Sequence, residues 1–127
     1  MIVGIGTDIV EIQRIDRLWQ KRGERFATRV LSEAEMSELQ GHAHPERLLA
    51  KRWAAKEAIA KALGTGFTQG VSFDDMTIGH TASGQPEVVL KGAAHKVATD
   101  LGVTSWSISL SDENHYAVAF VVAEKSL

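Results

Sequence analysis

Three side chains that could do chemistry together, Asp8, Glu57 and Lys61, come from distant parts of the sequence. A helix over this region places Glu57 and Lys61 on one narrow arc with Trp53 and several alanines, because successive residues turn by about 100°. A typical surface helix separates polar from apolar residues more clearly than this. The arc is explained either by an exposed Glu57–Lys61 ion pair, which stabilises by about 0.3 kcal/mol, or by two groups that contact a ligand.

Asp8 lies near the end of a predicted strand, Met1–Val10, whose side chains alternate between two faces. Its own face also carries Gly4 and Gly6, so we expect open space in which a ligand can approach the carboxylate. Asp8 could instead cap the helix that follows, as Asp often does at such a junction. Metal ligation and helix capping are both open at this point.

The two carboxylates, Asp8 and Glu57, together suit Mg²⁺, because this ion keeps an octahedron of oxygens and is seldom enclosed by protein ligands alone. Phosphoryl transfer needs mainly positioning and charge neutralisation, and Lys61 follows Glu57 by one helical turn. Other chemistries fit poorly, since the chain has no nucleophile-elbow motif, no phosphate-binding loop and no dinucleotide fingerprint. The residues therefore support the hypothesis of a magnesium site for phosphoryl chemistry.

The composition is that of a single small domain, with 127 residues, a net charge of −2 and no cysteine. This length supports one hydrophobic core. The absence of cysteine excludes disulfides, thiol catalysis and cysteine-based zinc sites. The slight negative charge disfavours nucleic-acid and membrane-surface binding. We see neither a signal peptide nor an apolar stretch of membrane-spanning length, so we expect a cytoplasmic protein.

Hydrophobic periodicity predicts one α+β domain over residues 1–127, in which a largely antiparallel sheet packs against one long and several shorter helices. Ser32 and Glu35 form a capping box at the start of one helix. Pro45 suits the first turn of the long helix, which ends at Gly64–Gly66. The other predicted elements are a helix from Ile12 to Gly23, strands at Met76–Thr81 and Glu87–Leu90, a helix at Gly92–Leu101, and strands at Trp106–Ser111 and Tyr116–Ala123.

Residues 12–30 carry six basic side chains and two acidic ones, so a locally basic surface lies on a chain of net negative charge. Such a surface is either a solvated charged face or a docking site for an acidic partner. A non-catalytic module that binds an acidic protein through this segment is the alternative to an enzyme. The basic residues are Arg14, Arg17, Lys21, Arg22, Arg25 and Arg29.

Two separated motifs carry a resemblance to a known family, the holo-[acyl-carrier-protein] synthases, which are the short class of 4′-phosphopantetheinyl transferases. The family's opening signature is similar to Gly4-Ile5-Gly6-Thr7-Asp8-Ile9-Val10-Glu11 followed by Arg14-Ile15. Its second signature is similar to Arg52-Trp53-Ala54-Ala55-Lys56-Glu57-Ala58 followed by Lys61-Ala62-Leu63-Gly64-Thr65-Gly66. The Gly84-Gln85-Pro86 turn and the strand beginning Tyr116-Ala117-Val118-Ala119 agree in order and spacing. The resemblance thus covers nearly the whole chain.

The resemblance implies transfer of 4′-phosphopantetheine from coenzyme A to a serine of apo acyl carrier protein, with release of adenosine 3′,5′-bisphosphate. It implies that Asp8 and Glu57 hold Mg²⁺ on the pyrophosphate, that Lys61 contacts the phosphates, and that these three residues are catalytic. The serine proton is expected to go to water at the metal or to a carboxylate such as Asp8. Small residues beside Glu57 are expected to leave space for the coenzyme. The implied coenzyme-binding residues are Lys51, Arg52, Lys61, Gly64, Thr65, Gly66, Gln85 and Pro86.

The resemblance also implies a homotrimer with active sites between neighbouring subunits, acting in fatty acid biosynthesis. One departure from the family is Asp112, which stands where many members have His. We interpret Asp112 as a residue that starts a turn. The helical surface implied to dock the acidic carrier protein comprises Arg14, Leu18, Arg25, Phe26 and Arg29, in agreement with the local charge.

Overall fold

The computed structural model describes all 127 residues, Met1–Leu127, as one α+β domain, which confirms the predicted fold class. Predicted and observed element ends differ by only a few residues. No helix is both long enough and apolar enough to cross a membrane. The elements are β1 (Ile2–Glu11), α1 (Ile12–Arg22), α2 (Glu24–Val30), α3 (Glu33–Leu39), α4 (Pro45–Ala62), a short 3₁₀ helix (Phe73–Asp75), β2 (Met76–His80), β3 (Pro86–Leu90), α5 (Gly92–Leu101), β4 (Ser105–Asp112) and β5 (Tyr116–Glu124).

Three strands form the main antiparallel sheet in the order β1-β5-β4, so the nearly all-apolar β5 is the central strand. Ala119 of β5 pairs with Asp8 on one side and with Leu110 on the other. Strands β2 and β3 form a separate antiparallel hairpin, in which Ile78 pairs with Val88. Helix α4 covers one face of the main sheet, and its apolar side forms the centre of the core.

Helix α4 lies directly on β1 because glycines remove the side chains between them. A Cβ atom at Gly6 would lie 1.9 Å from the carbonyl oxygen of Ala58, and one at Gly4 would lie 2.0 Å from that of Ala62. The expectation that these glycines leave room for a ligand is therefore wrong, since the helix backbone fills that space. The small residues beside Glu57 also serve packing rather than coenzyme binding, because Ala54 and Ala58 are fully buried.

The opposite face of the main sheet is exposed in the single chain; it is largely apolar on β1 and β5, whereas β4 contributes serines to it. Ile5, Ile9 and Phe120 are 60, 64 and 48 % exposed, respectively. The register places Phe120 opposite Thr7 and Val118 opposite Ile9, so these side chains form one continuous surface. Helices therefore cover the sheet on one side only.

Local sequence signals start and end these helices where the sequence predicted. Gly23, at a φ of 55°, separates α1 from α2. The Ser32 N–H donates to the Glu35 carboxylate at 2.8 Å, which confirms the capping box at the start of α3. After α4, the Gly66 N–H donates to the Ala60 carbonyl at 3.1 Å and closes the helix end.

The close approach of α4 to β1 predicts a large effect of one methyl group. We expect Gly6→Ala to lower the free energy of unfolding by about 3 kcal/mol, because the helix must move to admit the Cβ atom. Gly79→Ala is the matched control, since a Cβ there would meet the Glu87 side chain at an ordinary 3.5 Å, and it should change stability by less than about 1 kcal/mol. Urea unfolding measures both variants. Equal effects of the two substitutions would contradict the proposed contact.

Candidate active site

The packing of α4 on β1 brings Asp8, Glu57 and Lys61 to one edge of the main sheet. The Lys61 ammonium donates to the Thr7 carbonyl at 2.9 Å and to Asp8 Oδ1 at 3.3 Å. Asp8 is 16 % exposed and Lys61 51 % exposed, so the pair lies at the surface with its carboxylate partly sheltered. The half-buried Glu57 carboxylate takes part in no ion pair or hydrogen bond within the protein. The structure thus leaves one carboxylate free beside a second that holds a cation.

The electrostatics show that the two carboxylates interact. Burial raises the pKa of Asp8 above its ordinary 3.8, and the nearby Lys61 and Arg14 oppose that rise. Burial and then the negative charge of Asp8 raise the pKa of Glu57 above its ordinary 4.5, again opposed by Lys61 and Arg14. A shared cation would relieve the repulsion between the two groups.

This geometry resolves two interpretations that the sequence left open. Asp8 does not cap α1, because Glu11 is the N-cap residue and Asp8 makes no hydrogen bond to the helix. Lys61 does not pair with Glu57 along the helix, because its ammonium is bonded to Asp8 and Thr7. The site therefore joins two elements and is not a local feature of either.

The donor set fits a hard cation that keeps water or substrate ligands. Asp8 and Glu57 offer carboxylate oxygens, and the Lys61 ammonium already lies where a positive charge is favourable. No set of three or more His, Cys, Asp or Glu side chains converges to form a complete metal cage. Two carboxylates and an open side match the way in which Mg²⁺ is bound together with phosphate oxygens.

An apolar groove of about 310 Å³ opens between α1, α2, α4 and the 3₁₀ helix. Three of the predicted docking residues line it, namely Leu18, Phe26 and Arg29. Arg14 lies over the Trp53 ring, 5.7 Å from its centroid, and its charge also reaches the carboxylates. The fifth predicted docking residue, Arg25, is exposed on α2 outside the groove. Arg22, one of the six basic residues noted in the sequence, and Trp53 also line it, together with Val30 and Phe73, which the sequence did not single out.

Aromatic side chains continue from this groove toward the loop after α4. The ring centroids of Phe26 and Trp53 are 6.1 Å apart, and those of Trp53 and Phe73 are 5.0 Å apart. Phe67 then stacks on Phe73 at 4.4 Å. Phe67 follows Gly64–Gly66, so the row links the predicted coenzyme loop to the groove. The sequence singled out Trp53, which shares the helical arc of Glu57, and Phe26, a predicted docking residue, but neither Phe67 nor Phe73.

Lys51, a predicted coenzyme-binding residue, lies at the other end of the site and pairs with the last residue of β4. Its ammonium is 3.6 Å from Asp112 Oδ1, and Arg47 approaches Asp112 Oδ2 at 3.5 Å. Arg47 also donates to Asn114 at 3.3 Å. Asp112 therefore holds two cations of α4, which is more than the turn-starting role that the sequence suggested.

Arg52 does not lie where the resemblance placed it. Its side chain is only 4 % exposed and donates to Glu38 at 2.7 Å. Its Nε atom is 3.2 Å from Glu35, within ion-pair distance but not aligned for a hydrogen bond. The predicted contact of Arg52 with coenzyme A lacks an exposed group to make it, because these carboxylates hold the guanidinium in the interior. We assign Arg52 a packing role instead.

The remaining predicted coenzyme residues lie on two loops. Gly64, Thr65 and Gly66 form the partly exposed exit of α4, next to Lys61. Gln85 and Pro86 belong to the β2–β3 hairpin, and no hydrogen bond or ion pair joins that hairpin to Asp8 or Lys61.

This chain is similar to known proteins over nearly its full length. The profile of the 4′-phosphopantetheinyl transferase superfamily matches residues 4–121. A curated holo-[acyl-carrier-protein] synthase from Hydrogenovibrio crunogenus is 63 % identical over 124 residues, which cover 98 % of both chains. The crystal structure of holo-[acyl-carrier-protein] synthase from Neisseria meningitidis has a TM-score of 0.91 at 50 % identity and covers 98 % of this chain and 100 % of that one. A holo-(acyl-carrier-protein) synthase from Bacillus anthracis, solved in complex with CoA (3′,5′-ADP), has a TM-score of 0.82 at 35 % identity and covers 99 % of both chains.

The chain belongs to the 4′-phosphopantetheinyl transferase superfamily. Within that superfamily its relatives are holo-[acyl-carrier-protein] synthases, so the family resemblance and the enzyme class predicted from the sequence are confirmed. The alternative, a non-catalytic module that only binds an acidic partner, is set aside.

The raised pKa of Glu57 predicts how stability depends on pH. The folded protein binds a proton at Glu57 more readily than the unfolded chain, so this group reduces stability as pH rises from its ordinary value of 4.5 through the raised value. In EDTA, Glu57→Gln should therefore melt at a higher temperature than the wild type at pH 7.5, and the difference should vanish near pH 4. Glu87→Gln, at an exposed position on β3, is the control and should show no such trend. A Glu57→Gln difference that does not depend on pH would contradict the assigned electrostatics.

Proposed function

We propose that this protein transfers the 4′-phosphopantetheine group of coenzyme A to a serine hydroxyl of apo acyl carrier protein. The observation that carries the proposal is the convergence of Asp8, Glu57 and Lys61 in a chain of this superfamily. The serine oxygen forms a bond to the phosphorus that bears pantetheine, and the bond from that phosphorus to the bridging oxygen breaks. Adenosine 3′,5′-bisphosphate leaves with the electron pair of the broken bond. The serine proton passes to a carboxylate of the site or to water.

Asp8 and Glu57 would hold Mg²⁺ against the pyrophosphate of the coenzyme. When bound, the ion supplies Lewis-acid stabilisation of the charge that develops on the phosphate oxygens. The pair fits this role because the two carboxylates interact and Glu57 has no other partner. Asp8 would hold the ion in place of its bond to Lys61, and the Lys61 ammonium would then be available to contact the phosphates.

Coenzyme A is held by cations and by backbone on both sides of the catalytic residues. Lys61 is half exposed and long enough to follow the phosphates. Lys51 is one-third exposed, and its contact with Asp112 is a long one, so it remains available for the nucleotide end. The Gly64–Gly66 exit of α4 and the Gln85–Pro86 turn complete the cleft.

The groove beside the catalytic residues is the docking surface for the carrier protein. Its floor is apolar, Arg22 and Arg29 line it, and all six basic side chains of α1 and α2 are exposed. An acidic carrier helix would place its apolar side chains on Phe26 and Leu18 and its carboxylates near Arg25 and Arg29. Arg14 lies between this groove and the carboxylates, so a serine at the end of that helix can reach the phosphorus.

The active enzyme is a homotrimer whose active sites lie between neighbouring subunits. The uncovered apolar face of the main sheet, with Ile5, Ile9 and Phe120, supports subunit contact. The Gln85–Pro86 turn makes no hydrogen bond or ion pair with Asp8 or Lys61, which is compatible with a site to which a second chain contributes. We place the enzyme in the cytoplasm, where it would activate the carrier of fatty acid biosynthesis.

The transferase proposal predicts a mass gain on the carrier. Wild-type protein with apo carrier, coenzyme A and Mg²⁺ should add one phosphopantetheine group, and EDTA should abolish the addition. Glu57→Gln should lower the initial rate about 100-fold or more, because charge stabilisation at the phosphates is lost. Intact-mass spectrometry of the carrier measures all three, with Glu87→Gln as the active control.

Two results of the mass assay would each remove part of the proposal. A carrier that gains no mass with wild-type protein would contradict the transferase function. A mass gain that is undiminished in EDTA would contradict the metal role of Asp8 and Glu57 while leaving the transferase function intact.

The Lys61–Asp8 contact predicts competition between an ammonium and a metal ion for one carboxylate. Without coenzyme, Lys61→Met should bind Mn²⁺, a probe for Mg²⁺, about three- to tenfold more tightly than the wild type, because Asp8 no longer has an internal partner. The same variant should transfer phosphopantetheine more slowly, since the phosphate contact is lost. Mn²⁺ titration followed by electron paramagnetic resonance measures the affinity. Lys96→Met, which removes an exposed pair with Asp100 on α5, is the control, and equal or weaker Mn²⁺ binding by Lys61→Met would refute the competition.

A further inference from the structure

Lys56 is the largest fully buried side chain of the protein, and it immediately precedes Glu57. Its ammonium donates to Glu35 Oε1 at 2.6 Å, to the Val30 carbonyl at 2.7 Å and to the Phe73 carbonyl at 3.3 Å. All three of its N–H groups are therefore used, and none faces a substrate. The transfer reaction as described so far does not involve this residue.

The three acceptors belong to three different elements. Val30 ends α2, Glu35 lies in α3, and Phe73 begins the 3₁₀ helix. Val30 and Phe73 also line the docking groove. Glu35 continues the network, because its other carboxylate oxygen accepts from the Ile78 N–H of β2 at 3.1 Å. One ammonium thus joins the catalytic helix to two walls of the groove.

The opposite side of α4 makes a separate contact. There the helix rests on β1 through Gly4, Gly6 and the alanines at 58 and 62, which allow close approach. This contact sets the position of Glu57 relative to Asp8, but it includes no residue of α2, α3 or the 3₁₀ helix, so it does not set their positions relative to α4. A buried ion pair adds little net stability but can select one arrangement among several.

We infer that Lys56 is a positioning residue, which fixes the distance from the docking groove to Glu57 and Lys61 so that the serine of a docked carrier meets the phosphorus. This inference rests on the proposed function. The position of Asp8 relative to Glu57 depends instead on the glycine contact of β1 with α4. Loss of the Lys56 network should therefore spare the metal-binding pair and the groove while it disturbs the distance between them.

The test compares wild type with Lys56→Met/Glu35→Gln, a double variant that leaves no buried charge unpaired between these two positions. Below the melting temperature, its kcat at saturating carrier and coenzyme should fall about 10- to 100-fold, since small misplacements reduce transfer strongly. Its Kd for Mn²⁺, and its Kd for a carrier in which the modified serine is alanine, should stay within about twofold of wild type. Lys56→Met alone leaves the Glu35 carboxylate 3.2 Å from the Arg52 guanidinium, so that Glu35 keeps a cation beside it, and this variant should lose kcat by a similar factor. Ile59→Val, at a buried position of the same helix, controls for lost stability and should keep wild-type kcat.

The outcomes separate this inference from the proposed function. If the double variant, or Lys56→Met where the double variant does not fold, melts earlier but keeps wild-type kcat, the role of Lys56 is structural and the inference is wrong. Mn²⁺ affinity that weakens in parallel with kcat would also overturn it, because the damage would then lie at the carboxylates. If wild-type protein fails to modify the carrier, the proposed function fails and the inference fails with it.

Discussion

The contact between β1 and α4 is the constraint on which the rest of the structure depends. Two backbones approach so closely that a single methyl group on Gly6 would collide with the helix. The strand and the helix therefore carry Asp8 and Glu57 to one place with nothing between them. Helix α4 covers the core and also carries Glu57 and Lys61 of the candidate site. The stability of the fold and the geometry of the site therefore depend on the same contact.

Helix α4 distributes its charged residues in three directions, each with a separate use. Lys61 and Glu57 point toward Asp8 at the edge of β1. Lys51 and Arg47 point toward Asp112 at the end of β4. Arg52 and Lys56 point into the interior against α3, and their charges are matched there by Glu35 and Glu38. This explains why the helix has no clean polar face, which was the feature that first distinguished it in the sequence.

Sequence patterns predicted the elements well because their signals are local. The Ser32–Glu35 capping box, the glycines that end helices and the alternation in β4 all act within a few residues. The two motifs indicated that Asp8 and Glu57 act together. Only the structure showed how β1 and α4 pack to bring them to one site. The burial of Lys56 and Arg52 was not predicted, because a charged residue is normally exposed and the carboxylate that permits their burial lies 21 residues before Lys56. Phe73 carried no signal, since a groove wall becomes visible only when distant segments meet.

The bond from Lys61 to Asp8 also affects how folding depends on metal ions. Many metal sites bring repelling carboxylates together and cannot form until the ion is supplied, so that folding waits for metal. Here the chain provides its own cation, and the site is charge-compensated at Asp8 from the moment α4 meets β1. Folding at this position therefore needs no divalent ion, and Asp8 can reach its place in the fold with an internal cation beside it.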